Sequence, residues 1–244
     1  MIFDSIETKQ KILSQFLELV EFDSWSEETL KKAIRNSNID DKFQNLIFEN
    51  GCLDLIKFYI DQQNIKSSQL IEKIPDFKNL KIRDKIKKSL YSRFEVELEN
   101  KIALQRLVNF YLNPNNFLSI KYGPKPLLQS LKSCYKIADS IWYNIGDKST
   151  DFNFYTKRIT LSKIILCSLF VFLRDDTSEF ERTKKFIDIQ IEKVMNFEKR
   201  KAKIKDMSFK VKSGFLEFIL DENGLPKSPK KILKNLPFIR LFKF

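Results

Sequence analysis

The sequence predicts an all-α protein. Only 5 glycines and 7 prolines occur in 244 residues, too few for the turns of a β sandwich. Apolar residues recur at three- and four-residue spacing along most of the chain, and several of these stretches begin at a Ser or Asp cap and end at Gly or Pro. Hydrophobic residues make up 43% of the chain, enough to bury a substantial core.

Taken in order, the first helix is predicted over about Thr8 to Phe22, where Ile12, Phe16, Leu19 and Val20 share one face. Ser26 reads as the N-cap of a second helix, Glu27 to Asn36, with Glu27 and Glu28 in its first turn and Trp25 placed to staple onto Leu30. A turn through Asn38 and Ile39 leads to a third helix, Asp40 to Phe48. Gly51 separates it from a longer one, Leu53 to Gln63. Three short helices followed by a longer one resemble the helix-turn-helix head of TetR-type proteins. The head is assigned residues 1–65, and the polar stretch 66–81, which holds Pro75, is expected to be a connector.

Helical periodicity returns from Ile82 to Leu112 and breaks at Asn113-Pro114-Asn115-Asn116. It restarts over Phe117 to Lys121 and stops at Gly123-Pro124-Lys125-Pro126. Leu128, Leu131, Tyr135, Ala138 and Trp142 then form one stripe of a helix from Leu127 to Trp142, ended by Gly146. A mostly apolar helix, Phe152 to Arg174, follows and is expected to be central. Ser178 and Glu181 read as a capping box for the next, which carries Phe186, Ile187, Ile191 and Val194. Residues 82–197 thus form a helical, ligand-binding body, since facing helices of a bundle can line an apolar cavity.

The chemistry open to this chain is narrow. It has no histidine, which removes the commonest general base, the usual zinc ligand and the serine or cysteine triads. Ser133-Cys134-Tyr135-Lys136 fits S-x-x-K but lacks the companion motifs of that chemistry. Cys52, Cys134 and Cys167 are far apart in apolar settings and form no C-x-x-C pair, so they are expected to be reduced core residues. The longest apolar run, Ile164 to Leu173, falls well short of the ~20 residues of a membrane-spanning helix. No signal or transit peptide is evident at the start, so the chain is expected to be cytoplasmic or already matured.

Net charge is +12, which calls for an anionic partner, and residues 198–244 concentrate it, with 13 Lys plus Arg against 5 Asp plus Glu. Within this tail Ile204, Met207, Val211, Phe215, Phe218 and Ile219 fall inside about 120 degrees of a helical wheel, with Lys203 and Lys210 on the polar side. A membrane-contacting amphipathic helix is the favoured reading; packing on the bundle and docking to a partner are the alternatives. Lys227 to Phe244 adds six cations and no acid.

Two motifs occur in order: Gly146-Asp147-Lys148-Ser149-Thr150-Asp151-Phe152-Asn153-Phe154-Tyr155-Thr156-Lys157-Arg158, and Asp175-Asp176-Thr177-Ser178-Glu179-Phe180-Glu181 leading through Phe186 to Met195-Asn196. Together they resemble the lipid-binding accessory proteins of coenzyme Q biosynthesis, the ninth of the Coq proteins. That family reads G-D-x-S-T-D-F-N-W-Y-T-R-R in the first motif, so Phe154 stands where it has tryptophan and loses an indole donor.

The resemblance implies a TetR-like fold with a degenerate head, a C-terminal amphipathic helix, no catalysis and no cofactor, with an isoprenoid lipid or quinone precursor as bound ligand. It also implies that Asp151, Asn153, Phe154 and Tyr155 dock a di-iron demethoxyubiquinone hydroxylase, the seventh Coq protein. The residues themselves leave open an N-cap at Asp151 with ordinary core rings beyond it. The function expected is presentation of a polyprenyl ubiquinone precursor to that hydroxylase. Leu131, Tyr135, Leu161, Ile165 and Leu169 are the candidate lipid contacts. Membrane phospholipid and a second copy of the chain are further expected partners. The location expected is the inner face of the cell membrane, or the matrix side in a processed mitochondrial protein.

The alternative is a TetR-type regulator with a hydrophobic effector pocket. Against it, Asp40 and Asp41 stand at the end of the third helix that would face phosphates, and Asn38, Asp40 and Asn45 replace the small residue, Ser or Thr, and Tyr of the usual pattern. No nucleic-acid partner is expected.

Overall fold

The computed structural model describes residues 5–113, 125–150 and 152–203. All regular structure is helical, with no strand among the described residues. The chain divides into two compact units, Met1–Asp147 and Lys148–Phe244.

The first unit holds α1 (Ile6–Val20), α2 (Glu27–Asn36), α3 (Gln44–Ile47), α4 (Cys52–Glu72), α5 (Ile82–Glu95), α6 (Lys101–Leu112) and α7 (Lys125–Asn144). Local caps set the first two: the Ser5 and Ser26 hydroxyls each accept the backbone N–H three residues on, at 3.1 Å. α1 packs on α2, α4 on α5 and α7, and α6 on α7. The rings of Phe16, Trp25 and Tyr59 pack in series, with centroids 4.8 and 5.6 Å apart, and Trp25 Nε1 donates to the Ala103 carbonyl on α6 at 2.9 Å. An indole donor without that carbonyl would cost about 1–3 kcal/mol when buried.

Glu27 links two helices. Its carboxylate accepts from Gln44 Nε2 at 2.7 Å and from the Cys52 backbone N–H, the first of α4, at 3.0 Å. A side chain of α2 thereby supplies the N-terminal charge that a helix dipole favours. Gly51, at φ +56, makes room for it.

Four predicted elements differ. The third helix, expected over Asp40 to Phe48, is a 3-10 turn at Asp41–Phe43 and one α turn at Gln44–Ile47. Asp40 accepts the Lys42 N–H at 3.0 Å and opens the turn as an isolated cap. The fourth helix runs past Gln63 to Glu72 because tertiary contacts carry its polar end: Ser67 and Ile71 are buried, and Asn144 on α7 donates to Ser68 at 2.8 Å. Stretch 66–81 is therefore helical to Glu72 before Asp76, in the left-handed region at φ 54, turns the chain into a 3-10 turn at Phe77–Asn79. The continuous pattern from Ile82 to Leu112 is split after Glu95, where the chain turns Glu97 inward to accept from Tyr59 and pair with Arg93.

The second unit pairs α8 (Phe152–Leu173) with α9 (Glu181–Lys203) through a short 3-10 turn at Ser178–Phe180.

Candidate functional site

The first motif begins by ending α7. Gly146 adopts φ +80, and Asp147 N–H reaches back to the Trp142 carbonyl at 3.0 Å while Gly146 N–H bonds the Tyr143 carbonyl at 3.0 Å. That is a left-handed C-terminal cap, and it frees the polar run that follows from the helix.

On α8 the motif residues separate by face. Asn153 and Tyr155 are exposed, Tyr155 to 57%. Phe154 is half-buried and sets its ring against Tyr155 edge-on at 5.2 Å. One turn on, the Arg158 guanidinium lies 3.4 Å from the Phe154 centroid and donates to the Phe154 carbonyl at 3.1 Å. Arg158 is only 3% exposed. The ring at position 154 therefore has a structural task that a phenyl face performs without an indole donor: it stacks on a desolvated cation. Asp151 lies outside the described residues.

The second motif builds the turn between α8 and α9. Asp175 is 3% exposed and accepts four hydrogen bonds: from the N–H and hydroxyl of Thr177 at 3.1 and 2.5 Å, and from those of Thr183 at 2.6 Å each. Burial alone would raise its pKa, but these donors favour the ionised form and together hold it below the ordinary carboxylate value. The capping box expected at Ser178 and Glu181 is replaced: Thr177 Oγ1 takes the Arg182 N–H at 3.2 Å and Asp175 takes Thr183, while Ser178 opens the 3-10 turn. Glu179 and Phe180 follow at φ 51 and 49, and Phe180 is buried with its ring 5.9 Å from Phe172.

Sequence patterns missed Arg158 and Asp175 as organisers, although both lie inside the motifs. The available signal was a charged residue bordering the most apolar run of the chain, which in a buried setting demands partners.

Leu131 and Tyr135 are half-buried, one turn apart on α7. On α8, Leu161 and Ile165 are buried and Leu169 is half-buried, at four-residue spacing. Two cavities in the first unit lie elsewhere. One, about 470 Å³, is bordered by Glu27, Lys42, Gln44 and Gly51; the other, about 730 Å³, by Ile71, Asp76, Phe77 and Asn144. Cys52 and Cys167 are buried as expected, whereas Cys134 is half-buried, and none of the three forms a disulfide. Burial pushes the Cys167 thiol pKa up. Lys136, the lysine of the S-x-x-K match, pairs with Asp61 at 2.5 Å.

Of the proposed membrane residues, Lys203 ends α9, and Ile204, Met207, Lys210, Val211, Phe215, Phe218 and Ile219 lie outside the described residues. Among the described residues no helix is long and apolar enough to cross a membrane, and no group of acidic or cysteine side chains could hold a metal ion.

Comparison with known proteins places the two motifs in context. Residues 127–198 match the COQ9 family model. The chain is 27% identical over 190 residues to the mitochondrial ubiquinone biosynthesis protein COQ9 of Rattus norvegicus, covering 78% of this chain and 59% of that protein. It is 26% identical to the Homo sapiens COQ9, covering 78% and 58%, and 26% identical to the probable coq9 of Dictyostelium discoideum, covering 82% and 64%. The chain thus spans about three fifths of the length of these relatives. Among solved structures, a TetR transcriptional regulator from Nitrosomonas europaea superposes with a TM-score of 0.56 at 13% identity, covering 76% of this chain and 97% of the regulator. The fold is all-α and TetR-like.

Proposed function

From its homology to the COQ9 ubiquinone biosynthesis proteins, we propose that this chain is a non-catalytic lipid-binding accessory protein of ubiquinone biosynthesis. It presents a polyprenyl quinone precursor to a di-iron demethoxyubiquinone hydroxylase. The observation that best supports this reading is the division of α8. Its first turn exposes Asn153 and Tyr155, while farther along Leu161 and Ile165 are buried. One helix therefore offers a polar and aromatic end to a protein and an apolar length to a lipid.

The physical need is solubility. An isoprenoid tail is too apolar to leave a bilayer unaided, so a carrier must shield it, touch the membrane and meet the enzyme. The proposed lipid contacts are Leu131 and Tyr135 on α7, and Leu161, Ile165 and Leu169 on α8. The proposed docking residues are Asp151, Asn153, Phe154 and Tyr155, and the membrane contact is the segment from Lys203 to Ile219. The setting proposed is a mitochondrial membrane surface, in keeping with the names of the relatives. Self-association is part of the proposal. The absence of histidine supports a helper rather than a metal enzyme of the Glu-x-x-His kind.

Mass spectrometry of the purified full chain under native conditions tests the reading. The expected spectrum contains a complex heavier by one isoprenoid-tailed molecule, released by organic extraction. A protein that carries no lipid, and takes up none when offered a polyprenyl quinone, overturns it.

A further inference from the structure

The outer face of α9 carries an unbalanced line of charge. Thr183, Ile187 and Ile191 are buried and mark the inner side of the helix. On the opposite side Arg182, Lys185, Ile189, Lys193 and Asn196 are exposed. At 100 degrees per residue these five fall within about 80 degrees of the helix circumference. The same register reaches Arg200 and Lys203 in the sequence. No acid among the described side chains of α9 falls within those 80 degrees: Glu192 lies about 20 degrees beyond Lys185, with Glu181 and Asp188 farther round on the same side. Ile189 and, at the edge, Phe197 are 53% and 48% exposed. From Arg182 to Asn196 the rail is about 21 Å long, at 1.5 Å per residue.

We propose that this rail lies flat on a bilayer containing anionic phospholipid and sets α9 against the membrane, with α8 on its far side. A row of cations along one helix face suits a plane of negative headgroups, at about 1 kcal/mol for each Lys or Arg near the surface. Ile189 and Phe197 add apolar contact at the headgroup boundary. A second copy of the same rail is a poor occupant, because antiparallel pairing would set cations against cations. The proposal rests on the membrane-peripheral reading above but concerns a different surface from the segment beyond Lys203.

Co-sedimentation of the full chain with vesicles of about one-third phosphatidylserine in phosphatidylcholine, at about 0.1 M salt, tests it. Three proteins are compared: the unaltered chain, a rail variant with Arg182→Gln, Lys185→Gln and Lys193→Gln, and a tail variant with Val211→Ser, Phe215→Ser and Phe218→Ser. The rail variant is expected to partition about 150-fold more weakly, and a Lys185→Gln, Lys193→Gln double variant about 30-fold. All the rail substitutions are at exposed positions, and unchanged thermal unfolding confirms that the variants are folded. A rail variant that binds within about twofold of the unaltered chain overturns the rail; if the tail variant loses binding in the same assay, the tail reading stands alone. A tail variant that binds normally while the rail variant fails supports the rail and overturns the tail. An unaltered chain that ignores these vesicles overturns both. Rail-dependent retention of duplex DNA without vesicle binding overturns the proposal in favour of a nucleic-acid surface.

Discussion

At the scale of single residues, two glycines share a left-handed backbone and should respond differently to the same change. A Cβ on Gly146 meets nothing within 4 Å, so Gly146→Ala carries only the backbone penalty of a left-handed L-residue, about 1–2 kcal/mol. A Cβ on Gly51 falls 2.5 Å from Glu27 Oε1 and closer still to Oε2, so the substitution must also displace the carboxylate that caps α4. Losing that cap adds about 1 kcal/mol. Urea denaturation should therefore rank Gly51→Ala below Gly146→Ala in stability; equal midpoints would show that Glu27 is free to move away. Asp175 makes a pH-dependent case. Its folded pKa is lower than its unfolded one, so its contribution is fully present above the unfolded value of about 3.9 and is lost as pH falls through the native value. Asp175→Ala should cost about 2–3 kcal/mol at pH 7, because the buried Thr183 N–H loses its acceptor. The gap between variant and unaltered protein should narrow below about pH 4. Hydrogen exchange at the first turn of α9 reads both effects, and a gap that persists unchanged into acid would contradict the assignment.

At the scale of elements, what was legible in the sequence was what local chemistry decides. Ser26, two glutamates and a four-residue apolar spacing define α2, which spans Glu27–Asn36 as predicted. The extension of α4 and the division between α5 and α6 depend on distant partners. Glu97 leaves the helical path because Tyr59 on α4 and Arg93 on α5 hold its carboxylate in the core. Burial and the Glu97 charge in turn push the Tyr59 pKa well above its ordinary value. Gln63 Oε1, Ser89 Oγ and Arg93 Nε are also buried along this α4–α5 seam without a hydrogen-bond partner among the described residues. Glu97→Leu should cost about 3–5 kcal/mol by leaving the Arg93 charge uncompensated, whereas the double change Glu97→Leu, Arg93→Leu should recover most of that loss. Fluorescence of Trp25, whose ring packs 5.6 Å from Tyr59, follows the unfolding. A double variant no better than the single would mean that the seam contributes more than charge balance. On α8 the exposed and the stacked ring separate in the same way. Tyr155→Ala should leave thermal stability within about 0.5 kcal/mol and weaken capture of the proposed hydroxylase partner about 30-fold, while Phe154→Ala should lower stability by removing the Arg158 stack. Stability loss in Tyr155→Ala with unchanged capture would reverse these roles.

At the scale of the whole molecule, the TetR-like fold was readable from helix order, but the fate of its head depends on charge placement that composition hides. The chain is strongly basic, yet several head cations are paired: Lys32 with Asp23 at 2.9 Å, Arg35 with Asp41 at 2.9 Å and Lys42 with Asp40 at 2.8 Å. The Lys42 ammonium and backbone N–H hold the Asp40 carboxyl below its ordinary pKa, so that acid stays charged at the end a groove-reading helix would present. The element itself is one α turn after a 3-10 turn, too short to lay several side chains along a major groove. Residues 198–244, by contrast, hold the larger part of the excess positive charge. Any retention of duplex DNA at low salt should therefore be nonspecific and come from the C-terminal cations. Substituting Arg35→Gln and Lys42→Gln together should change DNA affinity by less than about twofold, because each cation is held by a carboxylate of the head and neutralises no phosphate. Charge removal at Lys227, Lys230, Lys231 and Lys234 should instead flatten the salt dependence by about 0.9 for each phosphate that is no longer neutralised. Fluorescence anisotropy across a salt series measures both. A tenfold loss from the head pair, with the slope unmoved by the tail, would show that the head still reads nucleic acid.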